Sequence, residues 1–102
     1  MTEIKNYQEF MSNIKDGIVV ADFYADWCSP CKLMMPTLQK LSDELKDVKI
    51  LKINVETCFN VSNSYNISSV PSIIIFKDGN VVEQLSGVKD YQKVKSAILQ
   101  AG

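Results

Sequence analysis

The sequence predicts an α/β fold, a mixed sheet covered by helices on both faces. Segments with helical spacing of apolar residues alternate with short β-branched and aromatic runs, which is the pattern of strands joined through helices. The run Ile18-Val19-Val20-Ala21-Asp22-Phe23-Tyr24 is apolar at every position but one, as expected of a strand buried on both faces. A third run, Ser72 to Lys77, is followed by Asp78-Gly79 and a fourth run, which reads as a hairpin. The alternation implies a sheet parallel in its middle, and the hairpin adds an antiparallel pair.

Taken in order, Tyr7, Phe10, Met11 and Ile14 fall at helical spacing, and Asp16-Gly17 supplies a stop. The strand at 18–24 follows. From Pro30 or Cys31 the stripe Cys31, Met34, Met35, Leu38, Leu41 and Leu45 predicts a helix ending near Asp47. Pro36 lies inside it and removes one helical hydrogen bond, so a kink is expected between a short cysteine-bearing segment and a longer amphipathic one. Val48 to Val55 predicts the second strand, and Thr57 to Tyr65 two helical turns bearing Cys58. Ser68 to Pro71 forms a loop, Ser72–Lys77 and Asn80–Leu85 the hairpin, and Gly87 ends the second of these strands. Tyr91, Val94, Ile98 and Leu99 predict a closing helix with Asp90 as its N-cap.

Composition narrows the function classes. A chain of 102 residues has room for one domain, and 11 basic against 12 acidic residues leave no basic surface for nucleic acid or an anionic membrane. Three cysteines are too few, and odd in number, for a secreted scaffold held by several bridges, so a reducing compartment is expected. Residues Met1 to Asn6 carry no basic region followed by an apolar run, and no apolar run approaches the ~20 residues of a spanning helix. The expected location is the cytoplasm, and the expected partners are proteins or small thiols.

The chemistry concentrates at Cys28-Ser29-Pro30-Cys31, where the first strand runs into a helix. Two thiols on the first helical turn can close and reopen a small disulfide ring with little backbone movement. The exposed N–H groups there favour negative charge, and a cysteine in such a pair can have its pKa lowered from about 8.5 to roughly 3.5–7.5. Asp22 is the other unusual residue. An ionised carboxylate within an apolar strand must be paired or take up a proton, unless it faces solvent near the strand end.

Ala25-Asp26-Trp27-Cys28-Ser29-Pro30-Cys31-Lys32 resembles the active-site segment of thioredoxins. Asp22-Phe23, Pro36, Val70-Pro71-Ser72, Phe76-Lys77-Asp78-Gly79 and Gly87 also stand where that family has equivalent features. The resemblance covers essentially the whole chain. It implies a single thioredoxin domain over residues 1–102, with a central mixed sheet of four to five strands flanked by about four helices. The activity implied is protein-disulfide reduction by dithiol–disulfide exchange, contributing to electron transport and cell redox homeostasis, with no cofactor beyond the Cys28–Cys31 disulfide.

In that reading Cys28 attacks a substrate disulfide and Cys31 resolves the mixed disulfide. The spacing agrees, since Cys28 lies nearer the exposed helix start and Cys31 sits a turn inward. The resemblance makes Asp22 a buried general base toward Cys31, directly or through a water, with a pKa raised toward neutrality. Lys52 resembles the lysine near that carboxylate, a solvated strand lysine being the plainer reading. Pro71 resembles a cis-proline facing the cysteines, with Val70 offering main-chain groups to an extended substrate. Trp27, Val70, Gly87 and Val88 then frame a shallow apolar docking surface. The implied partners are disulfide-bearing proteins and an NADPH-linked flavoprotein, thioredoxin reductase, with ferredoxin-linked reduction the other possibility; the chain itself is expected to be monomeric.

Two positions depart from the family pattern. Ser29 stands where most thioredoxins have Gly, which together with Pro30 bears on the redox potential, and Tyr24 stands where many have Trp. Cys58 reads as a small core residue, or alternatively as an exposed thiol open to a second disulfide, a dimer or a glutathione adduct. A zinc module is disfavoured because the chain has three cysteines and no histidine, and attached c-type haem because Lys32, not His, follows Cys31. An oxidase or isomerase of the same fold commonly carries histidine between the cysteines, where this chain has Ser29-Pro30. A non-catalytic binding module on the same fold is the remaining alternative.

Overall fold

The computed structural model describes residues 1–102. Its elements are β1 (Thr2–Glu3), α1 (Tyr7–Ile14), β2 (Ile18–Tyr24), α2 (Ser29–Glu44), β3 (Lys49–Asn54), α3 (Phe59–Ser64), β4 (Ser72–Lys77), β5 (Asn80–Ser86) and α4 (Tyr91–Ala101). The strands form one sheet in the order β1-β3-β2-β4-β5. Pairing is parallel from β1 through β3 to β2, and antiparallel from β2 through β4 to β5.

The five strands and four helices agree with the expected architecture, but the antiparallel part is larger than a single hairpin, because β4 also runs against β2. The connection between β3 and β4 carries only a short helix, α3. Six helical residues span about 9 Å, against roughly 20 Å for a six-residue strand, so α3 cannot carry the chain back to the starting end of the sheet. The chain re-enters from the end where β3 finished. The hairpin turn has Asp78 at φ 51° and Gly79 at φ 86°, and the Asp78 side chain accepts from the Gly17 amide at 2.8 Å, which ties the turn to the start of β2.

The helices begin where side chains satisfy their free N–H groups. Asn6 caps α1 through the Glu9 amide at 2.8 Å, and Asp90 caps α4 through the Lys93 amide at 2.9 Å. The helical segments expected on either side of Pro36 are continuous, and α2 runs from Ser29 to Glu44 with Pro36 inside it. Pro36 and Lys32, whose carbonyl loses its helical partner, are both exposed, so solvent can serve the freed group.

Alternation along β2 splits the core between the two faces. Val19, Ala21 and Phe23 join Phe10, Ile14, Val61 and Phe76 beneath α1 and α3. Val20 joins Met34, Leu38, Leu41, Ile75, Val94 and Ile98 beneath α2 and α4. Tyr7, Met11 and Leu99 belong to the apolar stripes read from sequence but are exposed, because each sits at the margin of a helix face wider than its contact with the sheet.

Candidate active site

Strand β2 ends at Tyr24, and three residues of turn bring the chain to Cys28, which is itself the N-cap of α2. The Cys31 amide donates to the Cys28 sulfur at 3.1 Å, so that sulfur occupies the place where a capping oxygen would sit. Cys28 and Cys31 are joined in a disulfide with Cα atoms 5.3 Å apart. The helix starts at Ser29, with Ser29 and Pro30 exposed and Pro30 in the first turn, where its missing N–H costs no helical bond.

Exposure does not separate the two cysteines as their spacing suggests. Cys28 is 2% and Cys31 4% exposed. Both pack with Ala25, and with Tyr24, Val55 and Val70 around them.

Asp22 points to the same sheet face as Val20, toward α2 and α4. It is 1% exposed and is the only carboxylate among the buried residues. Neither of its oxygens has a hydrogen-bond partner. Burial lifts its pKa to about 6; the field of Lys52 opposes this lift and that of Glu3 adds to it. These three residues share one rung of the sheet, Glu3 beside Lys52 and Lys52 beside Asp22, so their side chains leave the same face in line. The Lys52 ammonium lies 4.3 Å from the Tyr24 ring centroid, and the Tyr24 hydroxyl donates to Glu3 Oε2 at 2.7 Å. Burial first, and then this bond to Glu3, push the Tyr24 phenol well above its ordinary pKa, so it stays neutral.

Two hollows flank the disulfide. One, of about 170 Å³, is lined by Cys31, Tyr24, Asp26, Lys32, Met35 and Lys52 with Ala25. The other, of about 150 Å³, is lined by Trp27, Val55, Ile67, Ser68, Ser69 and Val70. Trp27 is 68% exposed and Val88 48% exposed. The Val70–Pro71 peptide is cis, and the Gly87 amide donates to the Pro71 carbonyl at 2.9 Å, which joins the loop before β4 to the loop after β5. Trp27 and Val70 thus share a groove, whereas Gly87 and Val88 lie across Pro71 from it.

Sequence reasoning missed Glu3, Met35, Val55, Ile67 and the Ser68-Ser69 pair as neighbours of the site. Ile67 and the serines immediately precede Val70 and so could have been named from proximity; Glu3 carries no such signal. Cys58 is 1% exposed and donates its thiol to the Ile4 carbonyl at 3.3 Å, in the core beneath α1 and α3 and away from the disulfide. No group of three or more histidine, cysteine or acidic side chains is arranged to hold a metal ion.

A helix-capping cysteine joined to a second cysteine one turn on, at the end of a central strand of this sheet, defines a thiol–disulfide oxidoreductase. The Thioredoxin family pattern matches residues 1–100. Thioredoxin from Chlamydia trachomatis is 40% identical over 90 residues, covering 88% of both chains, and that from Bacillus subtilis is 37% identical over 92 residues, covering 89% of this chain and 88% of the other. Among solved structures, oxidized mitochondrial thioredoxin 3 of Saccharomyces cerevisiae superposes with a TM-score of 0.91 at 31% identity, over 98% of this chain and 94% of that one. Plasmodium falciparum thioredoxin gives 0.92 at 28% identity over the whole of both. The chain belongs to the thioredoxin family, and it is a protein-disulfide reductase working through Cys28 and Cys31.

Proposed function

We propose that Cys28 is the attacking thiolate, Cys31 the resolving thiol and Asp22 the group that takes the Cys31 proton. The observation that supports this most is the position of Cys28 at the N-terminus of α2, where its sulfur accepts the Cys31 amide. In the reduced protein the same amide and the helix end favour a thiolate at Cys28. That thiolate attacks one sulfur of a substrate disulfide, forming a Cys28–substrate disulfide and expelling the other sulfur as a thiolate. Cys31, deprotonated toward Asp22 directly or through a water, attacks the Cys28 sulfur and expels the second substrate thiolate. The substrate gains two electrons and ends with two thiols, and the protein ends with the Cys28–Cys31 disulfide.

The groove between Trp27 and Val70 receives extended substrate, with Pro71, Gly87 and Val88 bordering it and the Val70 main chain pairing with the bound segment. Ser29 and Pro30 place no charge beside the sulfurs, which favours a reducing potential near the thioredoxin value of about −270 mV. An NADPH-linked flavoprotein reductase returns the electrons, and the low cysteine content suits the cytoplasm. The 102 residues act as one monomeric domain in this electron-transport step.

Insulin reduction with dithiothreitol as donor tests the assignment. Cys28→Ser is expected to lower turnover to that of dithiothreitol alone, and reduced Cys31→Ser, freed of dithiothreitol, to accumulate a mixed disulfide with the substrate without releasing it. Turnover above that level in Cys28→Ser refutes the scheme, and equilibration with glutathione giving a potential close to about −120 mV would reassign the protein as an oxidase.

A further inference from the structure

The rung that carries Asp22 holds more than the Asp22 and Lys52 pair. Glu3, Lys52 and Asp22 stand side by side on β1, β3 and β2, a carboxylate on either side of one ammonium. On the fourth strand the rung continues with Ile73, which is apolar and buried, so charge reaches Asp22 from the β1 side only. The other ionisable groups near the site are Tyr24, neutral and bonded to Glu3, and Asp26 and Lys32 at the rim of the hollow beside Cys31. The helices α2 and α4 present Met34, Leu38, Val94 and Ile98 to this face of the sheet.

Lys52 is the one cation whose field favours ionised Asp22, so where its ammonium sits decides how readily Asp22 can hold charge. It lies over the Tyr24 ring, 4.3 Å from the centroid, where the negative face of the ring attracts it. That ring is in turn anchored at its far end, by the 2.7 Å bond from the Tyr24 hydroxyl to Glu3. The same bond holds Glu3 in register on the rung, and its negative charge opposes a second one at Asp22.

We propose that Glu3 is a positioning residue for proton transfer at the Cys28–Cys31 pair, its charge, held in place by the Tyr24 hydroxyl, acting across Lys52 on the carboxylate of Asp22. This rests on the reading of Asp22 as the acceptor of the Cys31 proton. It assigns β1, a two-residue strand at the edge of the sheet, a part in redox chemistry rather than in folding alone.

The Asp22 titration, followed by carbon NMR of its carboxyl in the full chain, separates the two claims. Glu3→Gln keeps an acceptor for the Tyr24 hydroxyl and removes the charge, so the Asp22 midpoint is expected to move below its wild-type value. Because Glu3 is exposed, 1 M salt is expected to shrink the difference between the two proteins. Tyr24→Phe, which keeps the ring and frees Glu3 to move in solvent, is expected to shift the midpoint in the same direction by less. An unchanged or raised midpoint in Glu3→Gln overturns the proposal, and so does a shift that salt leaves intact, since that would mark a structural change. Stopped-flow resolution of a Cys28 mixed disulfide by Asp22→Asn completes the test. Resolution at the wild-type rate and pH profile would remove Asp22 from the mechanism, a failure distinct from an unmoved titration.

Discussion

Asp22 is costly to bury, and its cost varies with pH in a way that can be measured. Its pKa rises from 3.8 to about 6 on folding. Well below pH 3.8 it is protonated in both the folded and unfolded chains and contributes nothing. Between those values the unfolded chain releases the proton while the folded one keeps it, so stability falls as pH rises, and the loss is complete above about pH 6. The full shift corresponds to on the order of 3 kcal/mol. Asp22→Asn removes the titration. In urea unfolding it is expected to stabilise the oxidised protein by up to that amount at pH 8 and by a small fraction of it at pH 4. A gain equal at both values would show that the carboxylate charge is not what destabilises the fold. A residue kept at such expense, with no hydrogen bond to either oxygen, is consistent with a role in handling protons.

The helix termini divide into ends that only stabilise and one that also reacts. Asp90 at the start of α4 makes an ordinary carboxylate cap and lines neither hollow beside the disulfide. Asp90→Ala is expected to lower unfolding stability by about 1 kcal/mol and leave insulin reduction unchanged. At α2 the cap is the sulfur of Cys28, and a serine hydroxyl caps at least as well, so Cys28→Ser should leave the reduced protein no less stable by urea unfolding while its activity disappears. Loss of both together would mean that the variant fails by losing the helix. Most elements were legible from periodicity and caps, because β2, β4, α1, α2 and α4 are long enough to display a pattern. Strand β1 was not, since two residues show no period and their pairing with β3 depends on the Ile4 amide reaching the Lys52 carbonyl at 2.9 Å. Missing β1 also hid Glu3. The exposure of Pro36 was equally invisible, because it depends on which side of the helix meets solvent.

The sheet separates two working faces across the whole molecule. The disulfide, Asp22 and both long helices lie on or above one face, while the other carries α1, α3 and Cys58. The cysteine pair and its buried carboxylate were readable in sequence because motif and strand pattern are local. The two hollows and the rung of charges were not, because they arise from register between strands distant in the chain. Cys58 reports on how the second face holds together. Its thiol bonds the carbonyl of Ile4, the residue that follows the two-residue β1, and Cys58 directly precedes the six-residue α3. Such elements open more cheaply than the central strands, since they bury few groups and share few ladder bonds. Labelling of the oxidised protein with Ellman's reagent, whose only free thiol is Cys58, should therefore proceed through local opening. Its rate is expected to rise less steeply with urea at low concentration than the global unfolding constant does, joining the global line only near the transition. A labelling rate that follows the global slope from zero urea would show that β1 and α3 open only when the entire sheet does.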